Sequence, residues 1–276
     1  MTPRRDFTMM LVLCAACALP PAWAGAGANV VGGVDTFMGR RVETLTVRQP
    51  AAKVCVVFEN GLRATVDGWR GVIDRLPPET SVFAYNRPGY GQSDKTDTPR
   101  DGGTVVEELR QLLRQKGMQP PYILVGHSLG GLYMQLFARR YPGEVAGLLL
   151  VDAVYPGAIK KPEDFPLLTR AAKGLFFSNT VNREVDNIHR TGEQVAALAT
   201  IDDKPVIQMV NRPTGATAIP VDFGVVDTDP KTAARIKTMY PKATTIFLDS
   251  DHQMQQQDPA AVADAIRTLV AGAAQR

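Results

Sequence analysis

This chain is short of the residues that mark several functional classes. Three of its 276 residues are cysteine, and Cys14 and Cys17 fall in an N-terminal apolar stretch, which leaves Cys55 alone in the remainder. A disulfide framework is thereby excluded for the body of the chain. Cys55 stands in Val54-Cys55-Val56-Val57-Phe58, where a small buried hydrophobe fits better than a reactive thiol. Charged residues make up only 21%, and the 31 basic and 28 acidic side chains are interspersed to give a formal net charge of +3. Without a block of like charge there is no phosphate-tracking surface, which argues against nucleic acid as a partner. No internal repeat is visible. Histidine is scarce too: His127, His189 and His252 are the whole supply, so a reaction that needs an imidazole has three candidates for it.

What is present begins with size. At 276 residues and 45% hydrophobic content, the chain can bury one large core, and one domain with insertions is expected. The first 24 residues have a different character. Arg4 and Arg5 precede an apolar run over residues 7–19, followed by Pro20, Pro21 and Ala22-Trp23-Ala24. That is the order of a cleaved signal peptide, and the run is shorter than the roughly 20 residues that span a bilayer. The expectation is a periplasmic or secreted protein of residues 25–276, with no stable membrane insertion after cleavage. Arg4-Arg5-Asp6-Phe7 also resembles a twin-arginine signal, so the Sec and twin-arginine routes both stay open. Cys17, after Ala15-Ala16, loosely resembles a lipidation site, although Cys14 stands where leucine is usual.

Short β-branched runs alternate with longer amphipathic segments, the pattern of an α/β protein with a mostly parallel sheet and helices on both faces. Strands are predicted over residues 53–58, 81–86, 122–125, 146–151, 205–210 and 244–248. Helices are predicted over 66–76, 104–116, 129–141, 231–239 and 259–270, the last with Asp258 as N-cap and Pro259 in its first turn. Upstream, residues 36–38 and 42–47 flank Gly39-Arg40 as a hairpin at one sheet edge. Residues 156–204 are too many for an ordinary connection and are expected to form a mostly helical cap insertion over the sheet's C-terminal edge. Residues 211–229, rich in Pro, Gly, Thr and Asp, read as a long loop.

The chemistry concentrates at Gly126-His127-Ser128-Leu129-Gly130, a G-x-S-x-G sequence entered by the apolar strand Tyr122-Ile123-Leu124-Val125 and followed by a helix. Glycine is needed on both sides because the turn is sharp, and it holds the serine hydroxyl at a helix N-terminus, where developing negative charge is favoured. A serine needs a base within hydrogen-bond reach. His127 adjoins the nucleophile and should point away from it, and His189 lies in the cap. His252 follows the last strand, so its loop opens at the same sheet edge as Ser128, and His252 is the expected base. Asp152 ends the strand 146–151 at that edge and is the expected orienting acid, with Asp222 and Asp227 in the later loop as alternatives. The oxyanion of an acyl transfer needs backbone donors. Leu129 N–H is one, and the turn Glu59-Asn60-Gly61-Leu62 offers the other at Leu62, with Gly61 as fallback.

Together with Asn86-Arg87-Pro88-Gly89-Tyr90-Gly91-Gln92-Ser93-Asp94, which looks like the R-P-G-x-G-x-S-D loop of many members, the elbow resembles the α/β-hydrolase superfamily over residues 53–152 and 244–270. The resemblance implies an eight-stranded sheet and the chain order Ser, acid, His, which Ser128, Asp152 and His252 satisfy. It also implies that dehalogenase and epoxide-hydrolase chemistry, run in this superfamily from an aspartate at the elbow, is not that of a serine. One departure is Asn60-Gly61 where many members have His-Gly. The expected function is hydrolysis of an ester or related acyl bond of a small molecule, with no metal or organic cofactor required. An acyltransferase using the same triad, or a non-catalytic ligand-binding member of the fold, are the alternatives. Arg87 reads as structural rather than substrate-contacting.

Overall fold

The computed structural model describes residues 30–211 and 238–275. The signal pattern of residues 1–24, Cys14, Cys17, most of the helix predicted over 231–239, and the alternative acids Asp222 and Asp227 lie outside the described residues. Eight strands form one sheet: β1 (Val30–Phe37), β2 (Arg40–Val47), β3 (Cys55–Glu59), β4 (Ser81–Tyr85), β5 (Tyr122–His127), β6 (Val145–Val151), β7 (Val206–Asn211) and β8 (Thr244–Leu248). Their order is β1-β2-β4-β3-β5-β6-β7-β8. The described α-helices are α1 (Arg70–Ile73), α2 (Gly102–Gln115), α3 (Leu129–Arg140), α4 (Leu167–Phe176), α5 (Asn179–Ala196), α6 (Met254–Gln257) and α7 (Pro259–Ala274).

β2 runs antiparallel to both β1 and β4, and every pairing from β4 through β8 is parallel. The hairpin turns on Met38 and Gly39, with φ of 49° and 74°, the two positive values that match the twist of paired strands. β1 extends back to Val30, which pairs with Val47. Gly32-Gly33 concealed that extension, since glycine weakens a strand pattern without preventing pairing. In the parallel strands alternate side chains feed opposite layers. Val57, Leu124 and Leu148 join the cluster under α2 and α3, whereas Val56, Phe58, Ile123, Val125 and Leu149 join Trp69, Val262 and Ile266 on the other face. Burying each such side chain is worth about 1.5–3 kcal/mol.

The helix predicted over 66–76 is instead a 3₁₀ turn, Val66–Trp69, followed by the single turn of α1. Gly68 and Gly71 weaken it and Pro77-Pro78 bars extension. α7 starts as expected, with Asp258 accepting from Ala261 N–H at 3.0 Å, and runs on to Ala274. Residues 156–204 hold α4 and α5. α5 lies against the start of α2: Thr191 Oγ1 accepts from Gly102 N–H at 2.9 Å and Gln194 Oε1 from Gly103 N–H at 3.0 Å. Among the described residues no helix is long and apolar enough to cross a membrane.

Candidate active site

Ser128 sits between β5 and α3 with φ 51°, a left-handed conformation that a serine adopts only when its surroundings impose it. A Cβ at Gly126 would stand 2.6 Å from the carbonyl oxygen of Gly130, and one at Gly130 would stand 2.6 Å from that of Asn60. The elbow therefore closes only with glycine at both places. Asp152, directly after β6, has φ 41°, and its backbone is held by Asp152 N–H donating to Met209 O at 2.9 Å. His252 lies between β8 and α6.

These three segments bring their side chains into one line. Ser128 Oγ is 3.0 Å from His252 Nε2, and His252 Nδ1 is 2.7 Å from Asp152 Oδ2. With Nδ1–H donating to the carboxylate, Nε2 carries the lone pair that faces the hydroxyl. The other oxygen, Asp152 Oδ1, accepts from Asn211 N–H at 3.3 Å. The His252 side chain is half exposed, so water reaches the line directly.

The turn after β3, over residues 59–62, is held from below. Arg87 is completely buried, and its five N–H donors find five acceptors. Nε and Nη2 donate to the two oxygens of Glu184 at 2.8 and 3.1 Å, and Nη1 donates to Glu59 Oε1 at 2.6 Å. The remaining two go to the carbonyls of Asn60 at 2.6 Å and Gly61 at 3.0 Å. Because a trans peptide directs its N–H opposite to its C=O, pinning Gly61 O on Arg87 turns Leu62 N–H to the far side. Gly61 lies beside Ser128, where an added Cβ would be 3.2 Å from Ser128 Cβ. Neither Leu62 N–H nor Leu129 N–H has a hydrogen-bond partner among the described residues. Asn60 fills the departure from His-Gly by bonding both ways: Nδ2 donates to Tyr85 O at 2.7 Å and Oδ1 accepts from Trp69 Nε1–H at 2.9 Å.

His127 points away from Ser128. Its Nε2–H donates to the carbonyl of His252 at 2.7 Å, and the two rings stand 4.7 Å apart. Burial, and then the neighbouring His252, lower its pKa from 6.5 to about 4. The folded protein thus keeps His127 neutral at a pH where the unfolded chain protonates it. Stability rises with pH between about 4 and 6.5 on this account, and falls as the solution is acidified through that window. The lost contribution is about 3 kcal/mol. Denaturant unfolding of His127→Gln at pH 4, 5 and 6.5 should show a shallower acid loss than the parent by that amount; parallel curves would show that His127 has no such role.

His189 is remote from this line, with Nδ1 on Ile159 O at 3.0 Å and Nε2 3.4 Å from Glu193. Cys55 is buried, and burial pushes its thiol up to about 12. Sequence reasoning did not find Glu59 and Glu184 as partners of Arg87. A glutamate closing an apolar strand was the visible signal for Glu59, but nothing local links Arg87 to Glu184, 97 residues away.

Comparison with known proteins agrees with this architecture. The sequence model for the alpha/beta hydrolase fold matches residues 54–256. The chain is 32% identical over 97 residues to the uncharacterized protein YbdG of Bacillus subtilis, covering 35% of this chain and 30% of that one. It is 29% identical over 122 residues to the 2-(acetamidomethylene)succinate hydrolase of Mesorhizobium japonicum, covering 43% and 44%. The matched regions span 30% and 44% of the length of these curated relatives. Among solved structures, the haloalkane dehalogenase DbeA from Bradyrhizobium elkani superposes with a TM-score of 0.67 at 16% identity, covering 90% of this chain and 99% of the other. Cfl2 from Burkholderia cenocepacia gives 0.64 at 20%, covering 87% and 95%. At such identities the structural likeness speaks for the fold alone, and the match over residues 54–256 carries the assignment: with its eight-stranded, mostly parallel sheet and flanking helices, this chain belongs to the α/β-hydrolase family.

Proposed function

We propose that this α/β-hydrolase is a serine hydrolase that cleaves an ester or related acyl bond through Ser128, His252 and Asp152. The observation that carries the reading is the unbroken line of hydrogen bonds from Ser128 Oγ through His252 to Asp152. Ser128 attacks the carbonyl carbon while His252 Nε2 takes its proton, and the N–H groups of Leu129 and Leu62 hold the oxyanion. His252 then protonates the leaving alcohol, and water enters to hydrolyse the acyl-enzyme. The half-exposed imidazole favours water as the acceptor. A fluorophosphonate probe is expected to label Ser128, and an unlabelled wild-type protein would overturn the reading.

The assignment of the acid has its own test. Asp152→Asn keeps a residue that tolerates positive φ but removes the charge that fixes the tautomer, so kcat is expected to fall by about 10⁴ with little change in KM or unfolding midpoint. Asp222→Asn and Asp227→Asn should be nearly silent. Steady-state kinetics of the three variants decide it, and near-normal turnover in Asp152→Asn with collapse in either of the others would move the acid.

The same reading places the enzyme outside the cytoplasm, on the order of Arg4, Arg5, the apolar run and Ala22-Trp23-Ala24. N-terminal sequencing of protein recovered from its producing cell should begin at Gly25; a chain retained in the cytoplasm from Met1 would refute export.

A further inference from the structure

Among the described residues four that are not glycine have φ in the left-handed region: Met38, Arg63, Ser128 and Asp152. Met38 belongs to the β1–β2 turn, and Ser128 and Asp152 are two of the three residues in the proposed triad. Arg63 is the fourth, with φ 62°, immediately after the oxyanion residue Leu62. A non-glycine residue in this conformation costs on the order of 1–2 kcal/mol, and glycine would meet the backbone requirement without that cost. The turn geometry therefore gives no reason for arginine. Its reason lies in the side chain.

That side chain is exposed and has no hydrogen-bond or ion-pair partner among the described residues. It lines a cavity of about 460 Å³ together with Thr65, Asp67, Gln255 and Gln256. One wall of this groove continues the oxyanion turn, and the other is α6, which begins two residues after His252. Asp67 is engaged by Arg70 at 2.6 Å, so Arg63 supplies the uncommitted charge. Gln255 is almost completely buried, and its Oε1 has no partner, which leaves it to accept from a bridging water or from a donor on a ligand. Gln255 Nε2 and Gln256 Nε2 both donate to Gln253 Oε1, at 3.0 and 3.4 Å, so the free donors of this groove are those of the Arg63 guanidinium, which is suited to grip a carboxylate bidentately.

We infer that this groove is a subsite for an anionic group, a carboxylate, on the substrate, and that Arg63 determines specificity for it. The inference rests on the serine-hydrolase reading and narrows it to esters of an ionised acid. The carboxylate belongs either to the acyl part or to the alcohol part of the ester.

The test compares kcat/KM, followed by pH-stat titration, for two matched pairs. Monoethyl succinate against ethyl valerate places the charge on the acyl side. The butyrate ester of 3-hydroxypropanoate against propyl butyrate places it on the alcohol side. In one pair the wild-type enzyme should favour the anionic ester about tenfold or more, which corresponds to about 1.4 kcal/mol. Arg63→Gln should cut that ratio about tenfold, while Arg63→Lys, equally strained in the backbone, should retain part of it. Arg63→Gly, which relieves the strain, should lose the ratio as the glutamine variant does. Ratios near one in both pairs for the wild type, or an unchanged ratio in Arg63→Gln, overturn the inference. If no ester of either pair is cleaved, protection of Ser128 from the fluorophosphonate by succinate in the wild type but not in Arg63→Gln supports the subsite, and equal protection overturns it. Failure of the probe to label the wild type at all defeats the hydrolase reading itself, whereas labelling with ratios near one defeats only the anionic subsite.

Discussion

Ser128→Ala is expected to lower kcat by about 10⁴ or more while leaving the unfolding midpoint within the range of a surface substitution. Ser128 contributes a hydroxyl and no core volume, and the left-handed turn that presents it is enforced by the close approach of Gly126 and Gly130 to neighbouring carbonyls rather than by its side chain. His252→Ala should cost about as much. The double variant should be hardly worse than either single one, because nucleophile and base act as a unit. Kinetics with an ester that the wild type turns over, alongside denaturant unfolding, check each part. Additive losses, or activity in Ser128→Ala near that of the parent, would show that the reaction does not pass through this hydroxyl.

The second large effect is on stability. Arg87→Met should destabilise the protein by about 3–5 kcal/mol, the usual cost of breaking a buried ion pair by removing one partner. Two carboxylates, Glu59 and Glu184, would then be left buried, and the carbonyls of Asn60 and Gly61 would each lose a donor. Burial already raises the pKa of Glu59 even with Arg87 in place. Adding Glu184→Leu to Arg87→Met should recover part of the loss, since it removes one of the stranded charges. Urea unfolding of the two single variants and the double variant closes the cycle. A loss below about 1 kcal/mol in Arg87→Met, the size usual for surface pairs, would mean that the cluster is not held as described.

The fold was legible where one kind of signal dominated. The strands β3 to β6 are buried on both faces, so unbroken apolar runs located them within a residue or two, and β8, at the sheet edge and largely exposed, was still placed at its full extent. The elbow was legible because its glycines, strand and helix stand consecutively. Glycine accounts for the rest: it hid the front of β1, and Gly68 and Gly71 cut short the helix that the spacing over 66–76 suggested. Asp152 was harder to place than Ser128, because what selects it is the carbonyl of Met209 on the neighbouring strand, not any residue beside it in sequence. His127 was expected to turn away from the serine, but its bond to the His252 carbonyl joins positions 125 residues apart and leaves no trace in local pattern. Arg63 escaped notice altogether, since exposed arginines are common and only a backbone angle sets this one apart.

The grip of Arg87 on Glu184 also bears on how such proteins are recombined. Insertions between the sixth and seventh strands are attractive modules to exchange between relatives, because they are continuous in sequence and leave the sheet untouched. Here the insertion supplies a carboxylate to the arginine that fixes the carbonyls of Asn60 and Gly61 in the turn after β3. A transplanted insertion without an acid at that place would alter the turn from beneath, even if it left the substrate side unchanged. In a chimera of this protein, the junction that matters is therefore not at either end of the graft but at its interior, at Glu184.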